Sequence, residues 1–470
     1  MNDLPSRDHV MSTTTGRPSS DRALVGVIVS LGLLVAVVGS LGTPLITAVA
    51  QHYNVSLAAA QWTLTIALLS GAVTTPVLGR LGSGPRRRSV VLVTLGIVVA
   101  GSLLTVLPLP FAVLLVGRAA QGAGLGLVSL MMAIARDHLD ERRSVSTIAF
   151  LSVASTAGIG IGYPLAGWLT DLAGIRAAYG LGLVATAAAL VAAVAVIPQA
   201  PARPASRVDL RGAMLLTIGL LALLLVISQV GLWQEHTVLA VLILVVSLLV
   251  LAAWTIVEAR TDKPLVDIRL LRHPAVAAAN LVMLTGGVGM YLLLSLITRY
   301  VQTPAVAGYG FGLNTFEAGL VLVPFSLLGF VAGRLMPGLK SRFGARTLLA
   351  ASTTVVLIAF VLFALARDHL AEPVIAISIL GVGVGAFSAA MPSVILAATP
   401  AAETASAMSV NQVVRSVGFS IGSALGGFIL AAYTTDVFPH EAGYTTAAWA
   451  GAATTAATLL VIAALPAQRR

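Results

Sequence analysis

Long apolar segments constrain this chain more than any other feature. From residue 23 almost to the C-terminus, segments of about 20 apolar residues follow one another, each long enough to cross the hydrocarbon of a bilayer as a helix. A helix satisfies its own backbone hydrogen bonds in lipid, so the sequence predicts an all-α membrane protein. Fourteen transmembrane helices are expected, at 23–48, 57–80, 89–108, 110–134, 145–170, 176–197, 211–231, 237–257, 275–300, 315–337, 346–366, 372–397, 405–432 and 444–465.

The composition supports a membrane location. The 470 residues are 58% hydrophobic and only 10% charged, whereas an ordinary soluble domain is roughly 25% charged. A net charge of +10 would suggest a nucleic-acid partner in a soluble domain, but membrane proteins concentrate Lys and Arg in cytoplasmic loops. We therefore expect a lipid bilayer and no nucleic acid as the partner. The absence of cysteine excludes disulfides and thiolate metal sites.

The basic residues indicate how the chain is oriented. With the N-terminus inside, 23 of the 28 Lys and Arg residues fall in the N-terminal tail, the C-terminus and the loops on the cytoplasmic side. This bias predicts a multi-pass protein of the cell membrane with both termini in the cytoplasm. The polar stretch 1–22 is expected to be a disordered tail, and 466–470 is expected to be a short cytoplasmic C-terminus.

Parts of the sequence recur along the chain. "GRL" followed by basic residues occurs after the second and the tenth predicted span, and the glycine pattern of the fifth span recurs in the thirteenth, 260 positions later. Such recurrence is typical of transporters built from two parallel repeats. It predicts an N-terminal six-helix bundle at 23–197 and a C-terminal six-helix bundle at 273–465. Two extra helices with cytoplasmic flanking loops are expected between them, in 198–272.

Three motifs carry a resemblance to a known family. "GRLGSGPRRR" lies at 79–88, "RAAQGAGLG" at 118–126 and "GIGIGYPLAG" at 158–167. In order and spacing they resemble the loop, span-4 and span-5 motifs of the major facilitator superfamily, specifically its fourteen-spanner drug:proton antiporter branch. One departure is Ser83, which stands where the family's loop motif carries an acidic residue that takes part in gating.

The resemblance and the small residues together nominate a set of gating and packing positions. Glycine lets membrane helices approach closely, and a proline within a span adds a bend. Both features suit a bundle that rocks between two openings, although a merely compact interface would use the same residues. The predicted positions are Gly79, Arg87, Arg88, Gly122, Gly158, Gly162, Pro164, Gly167, Gly333, Arg342, Gly418 and Gly422.

Arg118 is the first candidate for proton coupling. An arginine in a span costs roughly 2.5–3.5 kcal/mol on insertion scales and usually faces the bundle interior with a partner. The resemblance implies a role in proton movement. No acidic residue lies deep within a predicted span, so Gln121 or backbone carbonyls are the expected partners of Arg118. Asp171 and Glu317, at outer ends of spans, are the nearest candidates for a titrating group, although Glu317 would equally suit a helix N-terminus.

A second set of polar residues is expected to line a cavity. Arg415 follows Asn411 and Gln412 by about one helical turn, which places the three on one side of the thirteenth span. A role in helix packing is an equally good interpretation of this group. Gln61 and Trp62 of the second span complete the cavity candidates.

Enzymatic chemistry is not expected. "GFSIG" at 418–422 fits the serine-hydrolase pattern but lies in an apolar helix, and all seven histidines fall in loops or at helix ends, so no triad or helix-borne metal site is available. No P-loop motif occurs, and no cofactor is predicted.

The sequence therefore favours a secondary transporter that works by alternating access. It is expected to be a monomer that exports a drug, antibiotic or other small amphipathic compound in exchange for protons. The alternatives are uptake or proton-independent exchange of a small metabolite, and a non-transporting membrane sensor. The shortage of acids and the presence of arginines suggest a neutral or anionic cargo.

Overall fold

The computed structural model describes most of the chain as helices. The described residues are 18–40, 45–55, 57–82, 84–199, 209–228, 230–261, 264, 268–269, 274–397, 399, 404–434 and 438–464. The N-terminal half holds α1 Pro18–Ser40, α2 Ile46–Tyr53, α3 Leu57–Leu81, α4 Arg87–Val106, α5 Phe111–Gly122, α6 Leu127–His138, α7 Glu141–Ala173 and α8 Ile175–Val196. A single 3-10 turn, Ala123–Gly126, joins α5 to α6.

The remaining helices follow in two groups. Between the halves lie α9 Leu210–Ser228, α10 Val230–Glu235 and α11 Thr237–Arg260. The C-terminal half holds α12 Pro274–Gln302, α13 Thr315–Phe343, α14 Ala345–Leu365, α15 Ala371–Ala397, α16 Thr404–Ala432 and α17 Glu441–Ala464.

The helices have the length and polarity of membrane spans. In the described part of the chain, eleven helical segments are long and apolar enough to cross a bilayer, and two shorter apolar segments cover Arg22–Val38 and Arg211–Ile227. The prediction of an all-α membrane protein is confirmed. The exact count of fourteen spans stays a prediction.

The structure changes the predicted end of the N-terminal tail and retains the predicted break between the third and fourth spans. Helix α1 already begins at Pro18, so the prediction of a disordered tail is wrong for residues 18–22; proline is well suited to the first turn of a helix because its missing N–H is not needed there. Residues 1–17 and 465–470 lie outside the described residues. The break between the third and fourth spans is present, because α4 ends at Val106 and α5 begins at Phe111, on either side of two prolines.

The same helix pairings occur in both halves. In the N-terminal half α1 packs on α7, α3 on α5, and α4 on α8; in the C-terminal half α12 packs on α16, α13 on α15, and α14 on α17. These pairs join corresponding spans, first to fifth, second to fourth and third to sixth. This agrees with the sequence repeat, while the exact division of the chain at 197/198 and 272/273 stays a prediction.

The halves contact each other along α7 and α13 and where α16 meets α3 and α6. At the end of the bundle predicted to face the cytoplasm, Arg136 of α6 donates to the Thr404 hydroxyl at 2.6 Å and to the Thr399 carbonyl at 3.1 Å. Farther inside, the hydroxyls of Ser129 and Ser409 lie 3.1 Å apart. The two halves are therefore in direct polar contact at this end.

The helices between the halves lie beside α3 and α16. Helix α9 packs on α11, on α3 and on α16. Leu216 and Leu220 of α9 form an apolar cluster with Val413 and Val417 of α16, among others. Trp62, predicted to line the cavity, is half-buried against a cluster that contains Leu224 of α9. The side chain of the other α3 candidate, Gln61, lies outside the described residues.

Candidate functional site

Arg118 is fully buried in α5. It lies seven residues into the helix, roughly 10 Å along its axis, and its exposed fraction is 0%. Its Nε donates to the Thr63 carbonyl of α3 at 3.0 Å, and Nη1 donates to the Val38 carbonyl of α1 at 3.3 Å and to Gln121 Oε1 at 2.7 Å. The expected partners, Gln121 and backbone carbonyls, are those found in the structure. None of them is charged.

Gln121 extends this contact into a polar network across five helices. Its Nε2 donates to the Ser102 hydroxyl at 3.0 Å and lies 3.4 Å from the Thr105 hydroxyl, both on α4. Ser102 in turn accepts from Thr186 of α8 at 3.4 Å. All of these side chains are buried, where hydrogen bonds are stronger than in water and unmade ones are costly. The network therefore holds the Gln121 side chain so that its amide oxygen faces Arg118.

Two groups near this network are not hydrogen-bonded in the described part of the chain. They are Nη2 of Arg118 and the hydroxyl of Tyr179 on α8. The two side chains lie within electrostatic range of each other, and a small cavity lined by Val38, Leu68 and Gly122, among others, adjoins Arg118. The sequence reasoning missed Tyr179, because a single tyrosine in an apolar span belongs to no motif.

The two outer carboxylates lie at exposed helix ends. Glu317 forms a capping box with Asn314 at the start of α13: Glu317 N donates to Asn314 Oδ1 and Asn314 N donates to Glu317 Oε2, each at 2.9 Å. Asp171 lies in the last turn of α7 and is also exposed. The hydrogen bonds described for Glu317 are thus those of a helix cap. The hydrogen bonds described for Arg118 reach neither carboxylate.

One acidic residue that was placed just outside a predicted span lies within a helix, in its last turn. Glu258, which falls just outside the predicted eighth span, lies within α11 and has an exposed fraction of 0%. A methyl group at Gly212 of α9 would lie 2.5 Å from its Oε2, so a glycine is what allows the carboxylate to fit. The error arose because the span was ended at the first charge. Glu258 is one turn from the helix end and does not meet Arg118 in the recorded contacts.

The predicted gating loop contains a buried ion pair. Arg87, at the start of α4, pairs with Asp137 near the end of α6, and both side chains are only 3% exposed. The Nε of Arg87 also donates to the Gly82 carbonyl. Ser83 itself lies outside the described residues. Arg87 therefore has a carboxylate partner, which comes from α6.

The other basic gating candidates, Arg88 and Arg342, contact a carbonyl group and an aromatic ring rather than a carboxylate. Arg88 donates to the Val194 carbonyl of α8 at 2.8 Å. Arg342, in the corresponding loop of the C-terminal half, is exposed, with its guanidinium 5.4 Å from the ring centre of Phe343. The buried pair of Arg87 thus has no counterpart at Arg342 in the described contacts.

Several of the predicted glycines lie where helix backbones come close. A Cβ atom on Gly122 would lie 2.8 Å from the Ala67 carbonyl carbon of α3, and one on Gly418 would lie 2.6 Å from the Leu284 carbonyl oxygen of α12. Any larger residue would have to push the helices apart. Others of the set are in similar contacts, namely Gly158 with Ala36, Gly167 with Phe316, Gly333 with Val153 and Gly422 with Val288.

The remaining members of that set are also inside the bundle. Gly79 and Gly162 are buried. Pro164 lies within α7 and contacts α13, because a Cβ on Gly319 would lie 3.2 Å from the Pro164 Cα. The bend that a proline introduces is therefore located at the interface between the halves.

Arg415 lies in the middle of α16 and differs from Arg118 in its surroundings. It is half-buried, and its guanidinium lies 5.7 Å from the ring centre of Phe419. Asn411 is buried and donates to the Asn280 side chain of α12 at 3.3 Å, while Gln412 is half-buried. The three predicted residues thus share one helix, but in the described part of the chain only Asn411 has a hydrogen-bonded side-chain partner on another helix.

These features define a class of membrane protein. Two halves whose helices pair in the same way meet along glycine-rich interfaces and hold buried arginines, as in transporters built from repeats. A family model described as Major Facilitator Superfamily matches residues 28–423 and 291–469. The chain belongs to the Major Facilitator Superfamily and is a multi-pass membrane transporter, not an enzyme.

The named relatives are similar to this chain at low sequence identity. The Multidrug resistance protein Stp of Mycobacterium tuberculosis is 25% identical, over 81% of this chain and 70% of that protein. The Probable actinorhodin transporter of Streptomyces coelicolor is 28% identical, over 88% and 74%. Among solved structures, the human organic anion transporter MFSD10 has a TM-score of 0.66 and 16% identity, covering 95% of this chain and 100% of that one. This last likeness concerns the fold alone.

Proposed function

We propose that this transporter exports a drug, antibiotic or other small amphipathic compound in exchange for protons, by alternating access of a site between its two halves. Two relatives are named for multidrug resistance and for actinorhodin transport, which supports export of small organic compounds. The proposed orientation has both termini in the cytoplasm, in agreement with the distribution of basic residues.

The observation that carries proton coupling is the Arg118 network. A fully buried guanidinium whose partners are all uncharged retains its charge in a low-dielectric site, where electrostatic effects act strongly on any group that gains or loses a proton nearby. Its hydrogen bonds reach α1 and α3 as well as α4 through Gln121. A proton gained or lost by a group beside Arg118 would therefore act on several helices of the N-terminal half together.

The test is transport by purified protein in proteoliposomes with an imposed pH gradient and a panel of labelled dyes and antibiotics. The wild type should transport in a gradient-dependent manner, and Arg118→Ala should lose most of the rate. Arg118→Lys, which retains a charge, separates loss of charge from loss of folding. Arg299→Gln, at an exposed position near the end of α12, is the control and should transport normally.

One observation favours a second candidate, proton-independent exchange. The structure records no carboxylate among the hydrogen-bond partners of Arg118, so no ordinary titrating side chain is joined to it in the described part of the chain. Transport that is insensitive to the pH gradient, with an undiminished rate in Arg118→Ala, would favour this candidate and contradict proton antiport through Arg118.

A further inference from the structure

We propose that Arg415, Phe419 and Tyr291 form a binding site for planar aromatic anions, such as aromatic carboxylates, within the transport pathway. This inference rests on the proposed transport function, because it names the class of compound that the transporter would take. Three observations carry it: the placement of Arg415, its lack of a counter-charge, and the stacked aromatic rings beside it.

Arg415 lies deep along α16 and is not fully covered by its neighbours. It lies eleven residues into α16, roughly 16 Å along the helix axis, and α16 contacts helices of both halves as well as α9. Arg415 is half-buried, as are its neighbours from Gln412 to Val417, so this stretch of α16 keeps some surface that a small molecule can reach.

The charge of Arg415 is unanswered in the described part of the chain. The contact recorded for its guanidinium is the one with the Phe419 ring, and the ion pairs described elsewhere use Arg87, Arg143 and Arg367. A charge within a membrane bundle is costly unless it is paired. An anion that binds here would therefore gain the pairing that the protein does not provide, and the planar guanidinium suits a carboxylate, which it can bind through two parallel hydrogen bonds.

The aromatic rings beside Arg415 supply the rest of the site. Phe419 stacks on Tyr291 of α12, with ring centres 5.2 Å apart and an interplanar angle of 27°. The α12 backbone passes close to this ring, because a Cβ on Gly287 would lie 3.5 Å from Phe419, at ordinary van der Waals contact. Both aromatic residues are half-buried, so a flat ring can pack against them while its acidic group reaches Arg415. Such ring contacts contribute about 0.5–1.5 kcal/mol beyond the burial of area.

A cationic compound is disfavoured at the same place. It would meet Arg415 with like charge, and none of the carboxylates in the described residues is recorded in contact with Arg415. The arrangement therefore selects by charge as well as by shape.

Equilibrium binding to two dyes tests this inference. Fluorescein is an aromatic anion, and a rhodamine methyl ester is a cation built on the same xanthene ring. Their fluorescence anisotropy is measured with the full-length protein in nanodiscs, without any gradient. The wild type should bind fluorescein more tightly than the rhodamine ester. Arg415→Gln should weaken fluorescein binding about tenfold or more, as expected when a charged hydrogen-bonding group is lost, and should leave the rhodamine ester unaffected or better bound.

Three further variants sharpen the result. Arg415→Lys keeps the charge without the planar fork, so its fluorescein affinity should fall between those of the wild type and Arg415→Gln. Phe419→Leu should weaken both dyes, by about two- to tenfold. Arg299→Gln removes an exposed arginine near the end of α12 and should change neither affinity. Thermal melting of each variant identifies any that fails to fold.

The outcomes separate this inference from the proposed function. The aromatic-anion site is overturned if the wild type does not bind fluorescein, if folded Arg415→Gln binds it within twofold of the wild type, or if both dyes are weakened equally by that change. Transport of a cationic dye that is driven by an imposed pH gradient would then still support the proposed proton-coupled export. Charge-selective binding without gradient-driven transport would support the site and contradict proton-coupled export.

Discussion

Arg118 shows how an apolar bundle retains a charged residue. Its guanidinium donates to two backbone carbonyls and one side-chain amide, so several of its five donors are satisfied without an opposite charge. The Tyr179 hydroxyl nearby has no hydrogen-bond partner in the described part of the chain. A buried hydroxyl without a partner costs about 1–3 kcal/mol, and we propose that this cost beside a buried charge reflects a role in transport.

Tyr179→Phe separates the two functions of this side chain. The ring still fills its place in the apolar cluster around Leu114, so we expect an unchanged or higher melting temperature. We also expect gradient-driven transport to fall several-fold, because Arg118 loses the only phenol described near it. The control is Tyr444→Phe, a buried tyrosine of the C-terminal half. A wild-type transport rate in Tyr179→Phe would show that the hydroxyl has no role in transport.

At the scale of helices, the sequence predicted the spans well because the signal is long and strong. Each span needs about 20 apolar residues, and most helix ends lie within a few residues of the predicted ends. The first span is an exception, because α1 ends at Ser40 and not at residue 48, and a separate helix, α2, begins at Ile46. Partners across helices were harder to predict. Ending a span at its first charge misplaced Glu258, and the pairing of Arg87 with Asp137 joins residues 50 positions apart, which no local pattern specifies. Glycine spacing was more informative, because a close helix contact leaves few residue types possible.

Gly418→Ala tests the contact between α12 and α16. The added methyl group would lie 2.6 Å from a backbone oxygen, Leu284 O, which cannot move without shifting the helix. We expect a loss of about 1–3 kcal/mol in stability, read as a lower melting temperature, together with slower transport. Gly96→Ala in α4 is the control, because no atom lies within 4 Å of the added Cβ there. Equal melting temperatures for the two variants would contradict this account of Gly418.

At the scale of the whole molecule, the two halves are joined by polar contacts at the end predicted to face the cytoplasm. Arg136 bonds across to Thr404, and Ser129 lies against Ser409. Alternating access requires these contacts to break in each cycle, because one half rocks against the other. The repeat in the sequence predicted that the halves would pack alike. It did not predict which residues would touch between them, because small polar side chains are common throughout such helices.

The double variant Ser129→Cys with Ser409→Cys tests whether this contact opens during transport. The two hydroxyls are 3.1 Å apart, close enough for a disulfide after small adjustment, and the chain has no other cysteine. We expect oxidation to crosslink the halves and stop transport, and reduction to restore it. Each single cysteine variant serves as a control that oxidation should not inhibit. Full transport by the crosslinked protein would show that this contact stays closed throughout the cycle.

We expect Arg118 and Arg415, which have no charged partner in the described part of the chain, also to make the transporter sensitive to membrane voltage. Arg118 and Arg415 lie inside the bundle, where the transmembrane field acts, and one elementary charge moved across 100 mV corresponds to about 2.3 kcal/mol. When the opening switches from one side to the other, the part of the field that each arginine experiences changes. An empty carrier would move this positive charge, whereas a carrier loaded with a monoanion at Arg415 would move one charge fewer. The return of the empty carrier should therefore depend more steeply on membrane potential than the step that carries cargo.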